Sequence, residues 1–152
     1  MYRLNLPQYD IKIGGSKEKP TVFDTLRNRY VALTPEEWVR QHFIHFLIEH
    51  KGYPKAYLAN EVELRLGGGK RLRCDSMLCD KTMQPRMIME YKAPTVAIGQ
   101  KVFDQITAYN MQLHVDYLIV SNGLCHYCCK MDYENRKYSF LKDIPDYACL
   151  WL

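Results

Sequence analysis

Hydrophobic and polar positions alternate over residues 57–66: Leu58, Val62, Leu64 and Leu66 fall on one face of an extended chain, and Glu61, Glu63 and Arg65 on the other. Gly67, Gly68 and Gly69 then make a turn, and two further strands are predicted over 70–79 and 86–92, separated by a turn at 80–85. These three read as a meander. A helix is predicted before them. Thr34 is its N-cap, Pro35 its first residue and Glu37 sits three positions after the cap, with Trp38, Phe43, Leu47 and Ile48 near helical spacing until Gly52 and Pro54 stop it. A second helix is predicted over 96–111, with Ile98, Val102 and Ile106 on its apolar stripe. The apolar run 117–120 reads as a buried strand, and 124–131 and 137–141 as later strands. Residues 1–21 read as a peripheral N-terminal arm with the turn former Gly14-Gly15-Ser16, residues 22–33 are ambiguous, and 22–152 form one domain. Helix, three strands, helix and further strands imply an α/β fold with a mixed central sheet flanked by helices.

Composition narrows the class. With 152 residues, 47% hydrophobic and 25% charged, the chain suits one globular domain rather than a disordered one. No apolar stretch is long enough to span a bilayer, and the start of the chain carries no apolar signal core, so the expectation is no membrane and a cytoplasmic location. The net charge of +4 permits a nucleic-acid partner without requiring one. Of the six cysteines, Cys125 and Cys128 form a Cys-x-x-Cys pair, but no second pair completes a zinc site; reduced, buried thiols without zinc or disulfides are expected.

The candidate chemistry lies in the meander. Glu90 and Lys92 are two apart on a strand, so their side chains leave one face, and a turn at 80–85 would bring Asp75 alongside them. Two carboxylates there offer hard oxygen ligands for Mg²⁺, with a lysine beside the water it activates. A solvated ion pair is the plainer reading of an acid and a base at this spacing. Against it, Glu90 is embedded in the apolar run Met87-Ile88-Met89, where a carboxylate is costly unless it is satisfied. On the second helix, Lys101, Gln105 and Tyr109 share a ridge that either handles DNA or is a partly exposed face. Arg71 and Arg73 lead directly into Asp75 and are candidate phosphate contacts.

Asp75 followed by Glu90-Tyr91-Lys92, after a helix and within a meander, resembles the PD-(D/E)xK nuclease superfamily. More closely, the chain resembles the N-terminal nuclease domain of type I restriction enzyme R subunits. The stretches that carry this are 33–41 (LTPEEWVRQ), 70–75 (KRLRCD), 88–94 (IMEYKAP), 104–110 (DQITAYN) and 120–123 (VSNG). The resemblance implies a restriction-endonuclease-like αβββαβ core and a DNA endonuclease using Mg²⁺, for which Mn²⁺ can substitute. It implies that Asp75 and Glu90 bind metal, that Lys92 is the catalytic lysine, and that Glu37 stands where relatives carry a further acid supporting the metal site. The capping-box slot is an equal explanation of Glu37, and an exposed strand face accounts for Glu61. Gln105 and Tyr109 match a Gln-x-x-x-Tyr motif of related nucleases. The expected partners are DNA, a second copy of the chain where both strands are cut, and a helicase or other restriction-system subunits. Two departures stand out: Cys74 replaces the proline of the family name, and there is no Walker A pattern or room for a motor, which points to a stand-alone relative or a motor elsewhere. A DNA-binding module on a nuclease fold, acting with a partner subunit, is the alternative.

Overall fold

The computed structural model describes residues 2–150, apart from the side chain of Tyr109. Two antiparallel hairpins make a small sheet in the order β1 (Ile13–Gly15), β2 (Pro20–Asp24), β3 (Arg29–Ala32). After it come α1 (Pro35–Lys51), β4 (Leu58–Arg65), β5 (Arg71–Cys79), β6 (Pro85–Tyr91), α2 (Gln100–Leu113), β7 (Tyr117–Ser121), β8 (His126–Asp132) and β9 (Lys137–Phe140). Strands β4 to β9 form one mixed sheet in sequence order. Its pairs are antiparallel except β6 with β7, which run parallel because α2 crosses between them.

Each face of this sheet is covered by one helix, and the side-chain period of the strands divides the core accordingly. On β6, Met87, Met89 and Tyr91 pack with Val39, Phe43 and Leu47 of α1. Ile88 instead packs with Phe103 and Ile106 of α2, together with Leu118 and Val120 of β7. Because β6 and β7 are covered on both faces, they carry near-continuous apolar runs.

Helix α1 starts as its sequence predicts. Thr34 is extended (φ −100°, ψ 164°) and its hydroxyl accepts the Glu37 N–H at 3.1 Å. It ends at Gly52, whose φ of 73° is the left-handed conformation that a C-cap favours. Helix α2 begins at residue 100, later than the expected 96. A helix from 96 would need the Val96 carbonyl for its own ladder, but that oxygen accepts from Asn122 Nδ2 at 2.8 Å, and extended Gly99 becomes the N-cap.

The N-terminal residues, expected as a peripheral arm, are knitted into the rest. The 21/22 boundary falls inside β2. Leu4 is buried in the α1-side core, and Asn5 N–H donates to Gly123 O at 2.8 Å. Gly123 has φ 85°, and a Cβ there would stand 2.6 Å from Leu4 Cδ2, so only glycine fits this close approach. Among the described residues, no helix is long and apolar enough to cross a membrane.

Candidate metal centre on the two central strands

Strand β5 lends Asp75 and β6 lends Glu90. The register sets Ser76 opposite Met89, which puts Asp75 beside Glu90 one step further along. The two carboxyls share a hydrogen bond, and the Asp75 backbone N–H also donates to the Glu90 carboxylate. Asp75 Oδ2 accepts the Tyr91 N–H at 2.9 Å. Burial, then the charge of Asp75, raises the proton affinity of Glu90 well above the usual carboxylate range, and the Lys92 cation offsets only part of this. The structure thus brings Asp75, Glu90 and Lys92 together.

Burial likewise pushes the neighbouring Cys74 thiol up to about 12, helped by the charges of Glu90 and Asp75, which keeps it neutral and unreactive. Cys128 and Cys129 are buried on opposite faces of the sheet, one in each core, while Cys125 is exposed at the turn before them.

The donor set fits a hard dication. Two adjacent carboxylates, one with a proton affinity raised by burial and by the other, would be relieved by a cation between them. Among the described residues, no group of three or more His, Cys, Asp or Glu could hold a metal. Water and phosphate oxygens would complete the shell, the manner Mg²⁺ prefers.

Glu37 does not join the pair. Its carboxylate accepts Arg27 Nη2 at 2.7 Å, Arg40 Nε at 2.7 Å, Arg40 Nη2 at 2.8 Å and Gln41 Nε2 at 3.1 Å, which leaves it no free lone pair directed at a metal. Burial disfavours its charge, but the Arg40 hydrogen bonds and charge, then Gln41 and Arg27, hold it below the usual carboxylate range. The capping reading is half right: its N–H is capped by Thr34, while its side chain leaves for the arginines. Glu61 is also not the solvated residue its strand position suggested. Its backbone has φ 55°, and its carboxylate pairs with Arg40 at 2.8 Å and with Arg73.

The remaining candidates lie apart from the carboxylates to different degrees. Arg71 is exposed and pairs with Glu63 at 3.4 Å, and Arg73 is exposed and committed to Glu61, so neither cation is unpaired. Gln105 lines an open cleft of about 630 Å³ with Lys70, Arg71 and Leu72, on the α2 side of the sheet. Lys101 is exposed on the same helix. Tyr109 lies on α2, and its side chain is outside the described residues.

Arg40 went unnoticed in the sequence. It is buried, and its Nη1 donates to the main-chain carbonyl of Asp75 at 2.9 Å while Glu37 and Glu61 neutralise it. An arginine on the otherwise core-facing side of an amphipathic helix was the available signal.

Helix, three-strand meander, helix and parallel strand, with an acid pair on the central strands, define a mixed α/β domain with one carboxylate-lined centre. Residues 35–145 match the family described as type I restriction enzyme R protein N terminus (HSDR_N), and the chain belongs to that family. The fold is similar to the fragment structure of a putative HsdR subunit of a type I restriction enzyme from Vibrio vulnificus YJ016, at 20% identity and a TM-score of 0.51 over 74% of this chain. The chain spans 24% of that fragment. A weaker likeness, at 19% identity and a TM-score of 0.45, covers 77% of this chain and 11% of a chain in a DrdV–DNA complex. No curated protein matches.

Proposed function

We propose that the chain is a metal-dependent DNA endonuclease of the restriction type, built on a PD-(D/E)xK core, that hydrolyses phosphodiester bonds. The observation carrying this reading is the adjacency of Asp75 and Glu90 on neighbouring strands with Lys92 two residues on, and burial together with Asp75 raises the proton affinity of Glu90. Asp75 and Glu90 would hold Mg²⁺, with Mn²⁺ as a substitute; such an ion supplies Lewis acidity toward the phosphate and acidifies water. An ion held there would favour the charged form of Glu90, whose proton affinity burial and Asp75 raise. Lys92 orients the attacking water by hydrogen bonding and offsets the charge that builds on the phosphate. Tyr91 keeps the Asp75 carboxylate turned toward Glu90 through its N–H. Lys101, Gln105 and Tyr109 of α2, with Arg71 and Arg73 of β5, are the proposed DNA contacts. Partner restriction subunits, including a motor, and a second copy for double-strand cutting belong to the same proposal.

The deciding experiment is cleavage of supercoiled plasmid with Mg²⁺ or Mn²⁺, wild type beside Lys92→Ala. Metal-dependent nicking by the wild type that Lys92→Ala lacks supports the reading. Equal cleavage by both proteins contradicts it.

A further inference from the structure

The family match begins at residue 35, yet the carboxylate pair is tied to residues that precede it. The tie starts at the β2–β3 turn. Asp24, fully buried at the end of β2, accepts the N–H groups of Leu26 and Arg27, each at 2.8 Å, and pairs with the Arg27 guanidinium. Two hydrogen-bonded runs leave this turn and reach Asp75 by different routes.

The first run is ionic. Arg27 Nη2 donates to Glu37 Oε1 at 2.7 Å, Glu37 holds the Arg40 guanidinium, and Arg40 Nη1 donates to the Asp75 carbonyl at 2.9 Å. The second is neutral beyond Asp24. Asn60 Nδ2 donates to Asp24 Oδ2 at 3.0 Å, Ser76 Oγ to Asn60 Oδ1 at 2.6 Å and the Tyr91 hydroxyl to Ser76 Oγ at 2.9 Å, while the Tyr91 N–H holds Asp75 Oδ2. Asp24, Glu37, Arg40, Asn60 and Ser76 are all buried.

A buried polar assembly of this size is a poor source of stability, because desolvation offsets most of the attraction and apolar side chains of similar volume would serve as well. What it supplies is position. The strand needs that here: Cys74 and Met77 both pack in the α2-side core, although strict alternation would put them on opposite faces. The break lies at Asp75, and across the ladder Glu61 has φ 55°. An irregular strand does not fix its own carboxylate, and the two runs grip Asp75 by its main-chain carbonyl and by its side chain.

We propose that Asp24 and Arg27, outside the family-matched region, are positioning residues for the candidate metal centre and set the placement of Asp75 through these two runs. The catalytic meaning of that placement rests on the function proposed above.

The test uses the full chain with Arg27→Met and Asp24→Asn, and with Arg29→Met as a control on the same sheet but outside both runs. Amide exchange by NMR reads the Tyr91 N–H directly, and calorimetry reads Mn²⁺ affinity. Arg27→Met should lower the exchange protection of Tyr91 about tenfold with β8 amides unchanged, and weaken Mn²⁺ binding about tenfold, the usual loss when a ligand's supporting partner is removed. Arg27→Lys should restore part of both, and Arg29→Met should change neither. Arg27 is not fully buried, which keeps the test open if Asp24→Asn fails to fold. Arg27→Met that melts earlier yet keeps the wild-type Tyr91 amide overturns the proposal, because Arg27 is then only structural. A weakened Tyr91 amide in a protein whose wild type binds no Mn²⁺ supports the positioning role and refutes the metal reading instead.

Discussion

The main-chain N–H of Tyr91 reaches across 2.9 Å to Asp75 Oδ2, so the strand bearing Glu90 grips the carboxylate of its neighbour through its own backbone. Asp75→Asn keeps an acceptor for that N–H and removes only the charge. The variant should fold, with a melting temperature close to wild type, while Mn²⁺ affinity falls by more than the roughly 10–100-fold that loss of an outer partner costs. Calorimetry at neutral pH checks it; unchanged affinity would remove Asp75 from the ligand set.

Glu90 should cost the metal-free protein stability. Its folded proton affinity is raised, so below the ordinary carboxyl range both folded and unfolded chains are protonated and the group contributes nothing. As pH rises, the unfolded chain releases this proton and the folded one retains it. Stability then declines by at most about 1.4 kcal/mol per pH unit until the folded group also ionises. Glu90→Gln should therefore melt higher than wild type at pH 8, by roughly 2–4 °C per kcal/mol recovered, and the same at pH 4. Added Mn²⁺ should stabilise the wild type only. Identical melting of the two proteins at pH 8 without metal would contradict the buried charge conflict.

The opposite sign holds for Glu37. Its arginines depress its folded proton affinity, so the stability it confers is present above the ordinary carboxyl range and is lost as pH falls through the lower folded value. Glu37→Gln should lose about 3–5 kcal/mol at pH 7, because buried Arg40 and partly buried Arg27 are left beside a neutral group, and much less at pH 3. Urea unfolding at the two pH values measures this.

Lys92→Ala separates charge from chemistry. It removes the cation that partly offsets Glu90, so Mn²⁺ binding should be unchanged or slightly tighter while plasmid nicking is lost. Both readings come from one preparation, and loss of binding together with loss of cleavage would instead make Lys92 a structural partner of Glu90.

Gly123→Ala tests the docking of the N-terminal residues. The added methyl meets Leu4 at 2.6 Å and Val39 at 3.1 Å on a backbone with positive φ. A loss of about 1–3 kcal/mol is expected, measured as a lower urea midpoint.

Local signals account for what could be read in the chain beforehand. The meander strands and α1 fall within about a residue of their sequence positions, because alternation, the glycine run and the Thr34–Pro35 start act over a few residues. The position of Glu90 on a central strand was legible for the same reason. The small N-terminal sheet was legible only as an arm with a turn at Gly14-Gly15-Ser16: β1 has three residues, two of them glycine, and β2 and β3 pair as strands only with each other and β1. The fate of Glu37 was equally hidden. The capping slot is a short-range rule, whereas its side chain answers to Arg27 on another element, and Arg40 meets Asp75 across 35 positions of sequence.

The parallel pairing of β6 with β7 also has a consequence for the order of assembly. Strands β5 and β6 are joined by a short turn closed by the Asp80 N–H on Gln84 O, so they can zip as a hairpin as soon as both leave the ribosome. Their other cover, α2 and β7, is synthesised afterwards. The two acids therefore meet first in water, where proximity is cheap, and only the later closure of the crossover dries them out.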